Sequence, residues 1–293
     1  MKITERGSAQ FDEKLLSLAV TKDSVLTGGT KKILHKLSTD LHTQKILCQH
    51  EKSIRCIAAK DGVIVCGSYD GNATVLYEDK ILDLIEGPET EIKGVDLLNG
   101  NRRDNYIALS TRGKTVWVCK LNDKIEIDSI LEDHTQDVKG VKFFNNLLYT
   151  YGYDNTVKVY QRFTMYDDSW VLLQSLEAQK ETVWDVEMLT KLFVASNDGC
   201  IYVYRKEKDW VFDYCCNISV YPILSLCRIR DFLALAVDSK SLVIVDESLQ
   251  VKCSLEDAHQ KDINCVKYSD DNNMLVTCSD DGCLKVYHVD FSE

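Results

Sequence analysis

His134, Thr150, Asp154 and Tyr160 recur in the same order as His259, Thr277, Asp281 and Tyr287. An imidazole, a hydroxyl and a carboxylate in one short segment are the ingredients of nucleophilic hydrolysis, in which the acid orients a His that activates the hydroxyl. A constellation that appears twice, far apart in one sequence, fits a repeated structural device better than two active sites. A buried Asp is costly unless hydrogen-bonded, and a neighbouring His supplies that bond. The eight residues therefore read as two structural locks without a catalytic role. No G-x-x-x-x-G-K-[ST], G-x-G-x-x-G, H-E-x-x-H or G-x-S-x-G is present, so no motif speaks for an enzyme.

The segment that carries the first lock, residues 131–160, shows how such residues are positioned. A polar loop with His134 precedes an alternating run in which Val138, Gly140 and Lys142 share one parity and Lys139, Val141 and Phe143 the other. Asn145-Asn146 breaks the run, an apolar run follows, and Tyr153-Asp154-Asn155 precedes Val157-Lys158-Val159-Tyr160. Period-2 alternation cut by turn residues predicts short antiparallel strands. A small meander cannot bury both faces alone and needs copies of itself.

The copies are there. Tyr69-Asp70-Gly71, Thr111-Arg112-Gly113, Asn197-Asp198-Gly199, Asp238-Ser239-Lys240 and Asp280-Asp281-Gly282 each precede a β-branched or aromatic strand, and Gly28-Gly29-Thr30-Lys31 marks a degenerate first copy. A period of about 40–45 residues is that of four-stranded propeller blades. The expectation is one all-β domain over residues 1–293, a seven-bladed β-propeller with blades near 15–48, 53–85, 91–131, 137–176, 182–218, 223–255 and 262–289. The last repeat supplies only three strands, while Ile3-Thr4-Glu5 reads as an orphan strand. The N-terminal strand is expected to complete the last blade and close the ring, which removes two open edges. Pro88 and Gly113 break the lock of blade three, and Gln179 stands at the His position of blade five.

The protein has 293 residues with a formal net charge of −11, two prolines and twelve cysteines. Such acidity opposes a general nucleic-acid or anionic-membrane binder. With no apolar run near Met1 and none long enough to span a bilayer, the protein is expected in the cytoplasm, with the nucleus as a second location. The cysteines fall in or beside predicted strands without C-x-x-C or a Cys/His cluster at zinc spacing. They read as free thiols that pack as small hydrophobes, with no metal or cofactor expected.

In a propeller the first strand of each blade lies near the axis, and the turn between its second and third strands lies on one face. At the residue before the turn Asp the series reads Tyr69, Arg112, Tyr153, Asn197 and Asp280. At the second residue of the first-strand pattern it reads Arg55, Lys93, Lys139, Trp184, Leu224 and Asn264. Arg112, Arg55, Lys93, Lys139, Tyr69, Tyr153 and Trp184 would thus form a basic, aromatic patch, a composition favoured at protein hot spots. An acidic or C-terminal peptide suits it. Arg112, whose turn lacks the usual Asp, is expected to be unpaired there.

The segments I-E-G-P-E-T-E-I-K-G-V, S-T-R-G-K-T-V-W-V, L-E-D-H-T-Q-D-V-K-G-V, Y-D-N-T-V-K-V-Y and E-T-V-W-D-V, with a Tyr-Asp-Asp-x-Trp insert, resemble the WD-repeat scaffold of cytosolic iron–sulfur protein assembly. The likeness is densest over residues 81–186. It implies a WD40-type propeller acting as a non-enzymatic adaptor. Its implied partners are a MIP18-like family subunit, a HEAT-repeat subunit, an iron-only-hydrogenase-like assembly protein and the iron–sulfur apoproteins that receive clusters. The family's functional arginine, in an S-R-D-K-S-V-W turn, falls on Arg112. Gly113 departs from that turn's Asp, and Tyr stands where third strands usually end in Trp. A different WD-repeat adaptor, such as a ubiquitin-ligase substrate receptor or a chromatin-peptide reader, would use the same face.

Overall fold

A computed structural model describes residues 1–87, 89–99, 105–122, 124–163 and 169–292. Pro88, residues 100–104 of the blade-three insert, and Met165, Tyr166, Asp167 and Asp168 of the blade-four insert lie outside the described residues. The described residues fold into seven four-stranded antiparallel sheets. Each is a meander whose first strand touches the first strands of the two neighbouring blades, so the seven inner strands form a closed ring. No helix among the described residues is long and apolar enough to cross a membrane.

Blade boundaries follow the turn residues closely: the observed blade four runs from Val138 to Leu176 and blade five from Val183 to Asn217. Ring closure is as expected. Strand Lys2–Gln10 pairs antiparallel with Cys283–Asp290 and becomes the outer strand of blade seven, from Lys2 opposite Asp290 to Gln10 opposite Cys283. The pairing covers the free edge of Cys283–Asp290 and holds both ends of the sequence in one blade.

Seven apolar clusters lie between adjacent sheets, so each blade is buried by its neighbours and none has a core of its own. The tryptophans that end the two inserts belong to these cores. Trp170 meets Tyr106 edge-on at 5.6 Å across blades three and four, and Trp210 donates from Nε1 to Tyr149 Oη at 3.0 Å. Where blades three and four meet near the axis, two glycines leave no room for a side chain. A Cβ on Gly94 would lie 2.7 Å from Gly140 Cα, and one on Gly140 would strike the Tyr151 ring.

The strict alternation expected over 138–143 fails at one point, and that point matters for function. Every inner strand carries a β-bulge at its second residue: Leu16, Arg55, Lys93, Lys139, Trp184, Leu224 and Asn264 in blades one to seven. The extra residue re-aims the side chains around it. Val138, Lys139, Gly140 and Val141 are consequently all buried.

Candidate functional site at the channel mouth

The polar locks came together as the repeats implied. His134 Nδ1 lies 2.8 Å from Asp154 Oδ2 and its Nε2 lies 2.7 Å from Thr150 Oγ1. In blade seven His259 Nδ1 lies 3.1 Å from Asp281 Oδ2, and Nε2 lies 2.7 Å from Thr277 Oγ1. The tyrosines brace these units from the side: Tyr160 donates to Asp133 Oδ2 at 3.0 Å and Tyr287 to the Ala258 carbonyl at 3.3 Å. The His and Thr of each lock are buried beneath the turn, so no substrate reaches the Thr hydroxyl, and these groups tie a turn to two strands.

Burial alone would raise the Asp154 pKa, but His134, the Thr135 amide and Thr156 hold it down at about 2. A depressed acid contributes stability above its unfolded value of about 4 and loses it as pH falls towards about 2. Asp154→Asn should therefore flatten the acid limb of a denaturant-measured stability curve in that window. His134→Ala should cost about 1–3 kcal/mol at neutral pH, because it leaves a buried acceptor unpaired.

A third lock, in blade two, was not foreseen. His50 Nδ1 lies 3.0 Å from Asp70 Oδ2, with the same twenty-residue separation as His134 and Asp154, which was the available signal. Elsewhere the device is rebuilt. In blade five Gln179 pairs with the Tyr204 hydroxyl, while Tyr202 donates to Asp198 Oδ2 at 2.7 Å. In blade three Thr111 accepts from the Gly113 amide and closes the turn in place of the missing Asp. Blade one reverses the roles, with Glu13 Oε1 3.4 Å from His35 Nε2.

The bulges and the turns build the predicted patch. The residue before each turn donates its amide to a carbonyl just ahead of the bulged strand, as Tyr69 does to Ser53 and Tyr153 to Asp137. Turn and bulge side chains therefore meet at the channel mouth. Arg55, Tyr69, Lys139, Tyr153 and Trp184 line one depression there, and Lys93 lines the channel that continues from it. The Tyr153 and Trp184 rings meet edge-on at 6.2 Å. Lys93 Nζ stands 4.8 Å from the Tyr153 centroid and Lys139 Nζ 4.3 Å from that of Trp184, both within cation–π range. Trp184 Nε1 donates to Asn197 Oδ1 at 3.0 Å, fixing the indole.

Two expectations for this patch need correction. Arg112 is not unpaired: its Nη1 lies 3.1 Å from Glu91 Oε1, although 61% of its side chain is exposed. It does not line the depression. Glu91 immediately precedes the inner strand of the same blade, and the backbone bond from the Arg112 amide to the Glu91 carbonyl brings the two side chains together. Lys139 is buried instead of standing free at the rim. Burial, then the charges of Arg55 and Lys93, push its pKa well below the ordinary lysine value. Lys93 pairs with Asp137 Oδ2 at 2.9 Å, whereas no carboxylate among the described residues is within ion-pair reach of Lys139.

The other side of the mouth is acidic, which was not expected. Asp238 and Asp262 line the same depression. Asp280 accepts from Asn264 Nδ2 at 2.8 Å and pairs with Lys14. Asp238 stands at the same pre-turn position as Tyr153 and Asp280, which was the signal. Burial and then the adjoining Asp262 raise its pKa to about 6. A raised acid stabilises fully below its unfolded value and loses that contribution as pH rises through about 6. Asp238→Asn should therefore raise the melting temperature near pH 8 and leave it unchanged near pH 3.

Comparisons with known proteins agree with this architecture. The model of the WD domain, G-beta repeat, matches residues 250–288. A protein of Vanderwaltozyma polyspora named "Probable cytosolic iron-sulfur protein assembly protein 1" is 25% identical over 286 aligned positions, covering 81% of each protein. The crystal structure of the WD40 β-propeller domain of Doa1 superposes with a TM-score of 0.83 at 12% identity, covering 99% of this protein and 98% of that domain. That last likeness bears on the fold alone. The protein is a WD-repeat seven-bladed β-propeller, similar to cytosolic iron–sulfur protein assembly protein 1.

Proposed function

We propose that this propeller is a non-enzymatic scaffold of the cytosolic iron–sulfur protein assembly machinery, one that holds partners while clusters pass to cytosolic and nuclear apoproteins. One observation carries the reading: Arg55, Lys93 and Lys139 converge on Tyr153 and Trp184 at the mouth of the channel. Lys139 is a buried amine with no carboxylate among the described residues within ion-pair reach, so an incoming carboxylate favours its ammonium form and gains a partner already fixed in place. The ligand that suits this mouth is an acidic segment or the terminal carboxylate of a partner protein. The similarity to an iron–sulfur assembly protein supports that partner being a member of the same machinery.

The partners proposed are a MIP18-like subunit, a HEAT-repeat subunit, the iron-only-hydrogenase-like protein that hands on clusters, and the apoproteins themselves. The protein would work in the cytosol and, with its clients, in the nucleus. Affinity purification of the intact protein from its own cells, with mass spectrometry of the bound proteins, tests this. Recovery of the MIP18-like and HEAT-repeat subunits in stoichiometric amounts supports it. Recovery of ubiquitin-ligase subunits in their place would overturn it.

A further inference from the structure

Blade two carries the same lock as blades four and seven, but two thiols have entered it. Cys66 occupies the second-strand position that Thr150 and Thr277 hold in the other two locks. Cys48, two residues ahead of His50, is buried, whereas Glu132 and Asp257 at the matching places are exposed. Thr74 stands opposite Cys66 across the sheet, where the ordinary locks have Lys158 and Lys285. The four residues come from the outer strand of blade one, the loop after it, and the second and third strands of blade two.

Their donor atoms converge. Cys48 Sγ, Cys66 Sγ and a ring nitrogen of His50 all lie within 4.8 Å of one another, and all three residues are buried. The sulfurs are 3.5 Å apart, and Cys66 Sγ is 3.4 Å from His50 Nε2. In a tetrahedral zinc site, bond lengths of about 2.3 Å to sulfur and 2.0–2.1 Å to nitrogen require edges of about 3.8 and 3.6 Å. The Cys48–Cys66 and Cys66–His50 edges are a few tenths of an ångström shorter than that, and the third lies within 4.8 Å. Thr74 Oγ1 lies 3.1 Å from His50 Nε2. Asp70 holds the opposite ring nitrogen of His50, the arrangement that turns the Nε2 lone pair towards a metal and raises its basicity.

We propose that Cys48, Cys66 and His50 form a binding site for one Zn²⁺, with the Thr74 hydroxyl or a water as fourth ligand. Binding releases the two thiol protons, and the two thiolates neutralise the dication, so the buried site gains no net charge. Thiolate and imidazole donors select zinc over magnesium or calcium. The ion would enter by fraying of strand Gln44–Gln49, which is the outer edge of blade one and whose Ile46 is 59% exposed. The site would clamp blade one to blade two, and it stands apart from the channel mouth, so its test is independent of the scaffold reading.

The test uses the full-length protein, purified metal-free under a non-thiol reductant and titrated with Co²⁺ and then Zn²⁺. One equivalent of Co²⁺ should produce the intense bands of a tetrahedral thiolate complex, which Zn²⁺ abolishes, and bound zinc should raise the melting temperature. Cys66→Thr restores the residue that the other locks use, so it should fold and yet lose the bands, as should Cys48→Ser. Absence of the bands in the unaltered protein would overturn the proposal, as would their persistence in Cys66→Thr. Formation of a Cys48–Cys66 disulfide in air, by a protein that takes up no metal under reductant, would overturn it in favour of a redox pair.

Discussion

Asp185→Ala should destabilise the propeller by about 3–5 kcal/mol, more than the loss of either predicted lock. Asp185 is buried in the inner strand of blade five and joins three blades. From blade four, Tyr151 donates to Oδ1 at 3.0 Å and Lys142 Nζ lies 2.8 Å from the same oxygen. From blade six, the Leu226 amide and the Ser225 hydroxyl donate to Oδ2 at 2.8 and 3.2 Å. Burial disfavours charge on Lys142, yet the carboxylates of Asp185 and Glu187 hold its pKa well above the usual lysine value. Removing Asp185 leaves that ammonium buried with one weaker carboxylate at 3.4 Å and orphans an amide, a phenol and a hydroxyl. Urea unfolding at neutral pH would measure the loss. Adding Lys142→Met to Asp185→Ala should recover a large part of it, since the unpaired charge goes as well. A loss under 1 kcal/mol would show that the network contributes nothing to joining the blades.

What the sequence disclosed follows from how far each feature reaches along it. Strand limits, the closure by Lys2–Gln10 and the locks of His134 and His259 are written within one repeat, or in a copy count that leaves one strand over. Features that join neighbouring blades were harder to read. Asp185 sits one place after the bulge, where the other blades have Ser17, Cys56, Gly94, Gly140, Ser225 and Cys265. Its contrast with that small-residue series was visible, but its partners on blades four and six were not. The Cys48–Cys66 approach is likewise a contact between blades, which linear spacing of the kind used for zinc motifs does not register. The burial of Lys139 depended on a bulge, and period-2 reasoning assumes that none is present.

The patch itself came close to its expected composition because bulge and turn positions repeat in every blade, so aligned residues are also neighbours in space. What alignment could not supply was pairing. Glu91 lies outside both aligned positions and takes up Arg112. Asp238 and Asp262 make the mouth bipolar where only its basic half was foreseen. A bipolar mouth favours a ligand that presents its acidic group to one side in a fixed direction, and so adds orientation to affinity.

Trp184→Ala is expected to weaken capture of the proposed MIP18-like partner by about 30-fold or more, the loss of about 2 kcal/mol that marks a hot spot. Trp184 is central in the patch: it is half-buried, held by Asn197, edge-on to Tyr153 and beneath the Lys139 ammonium. Truncating it removes the apolar floor of the depression and the ring that stabilises a buried cation. Arg112→Glu should act differently. Its guanidinium is at the rim, 61% exposed and shared with Glu91, so reversal of its charge places two carboxylates side by side and repels an acidic partner. Exposed rim charges govern encounter more than residence, so the variant should bind several-fold more slowly, with a deficit that shrinks as salt is raised. Surface-immobilised partner and purified variants would give both rate constants, and melting curves would show that Arg112→Glu remains folded as stably as the parent. If Trp184→Ala and Arg112→Glu both bind at the parental rates, the partner docks elsewhere on the propeller and the channel mouth is not the site.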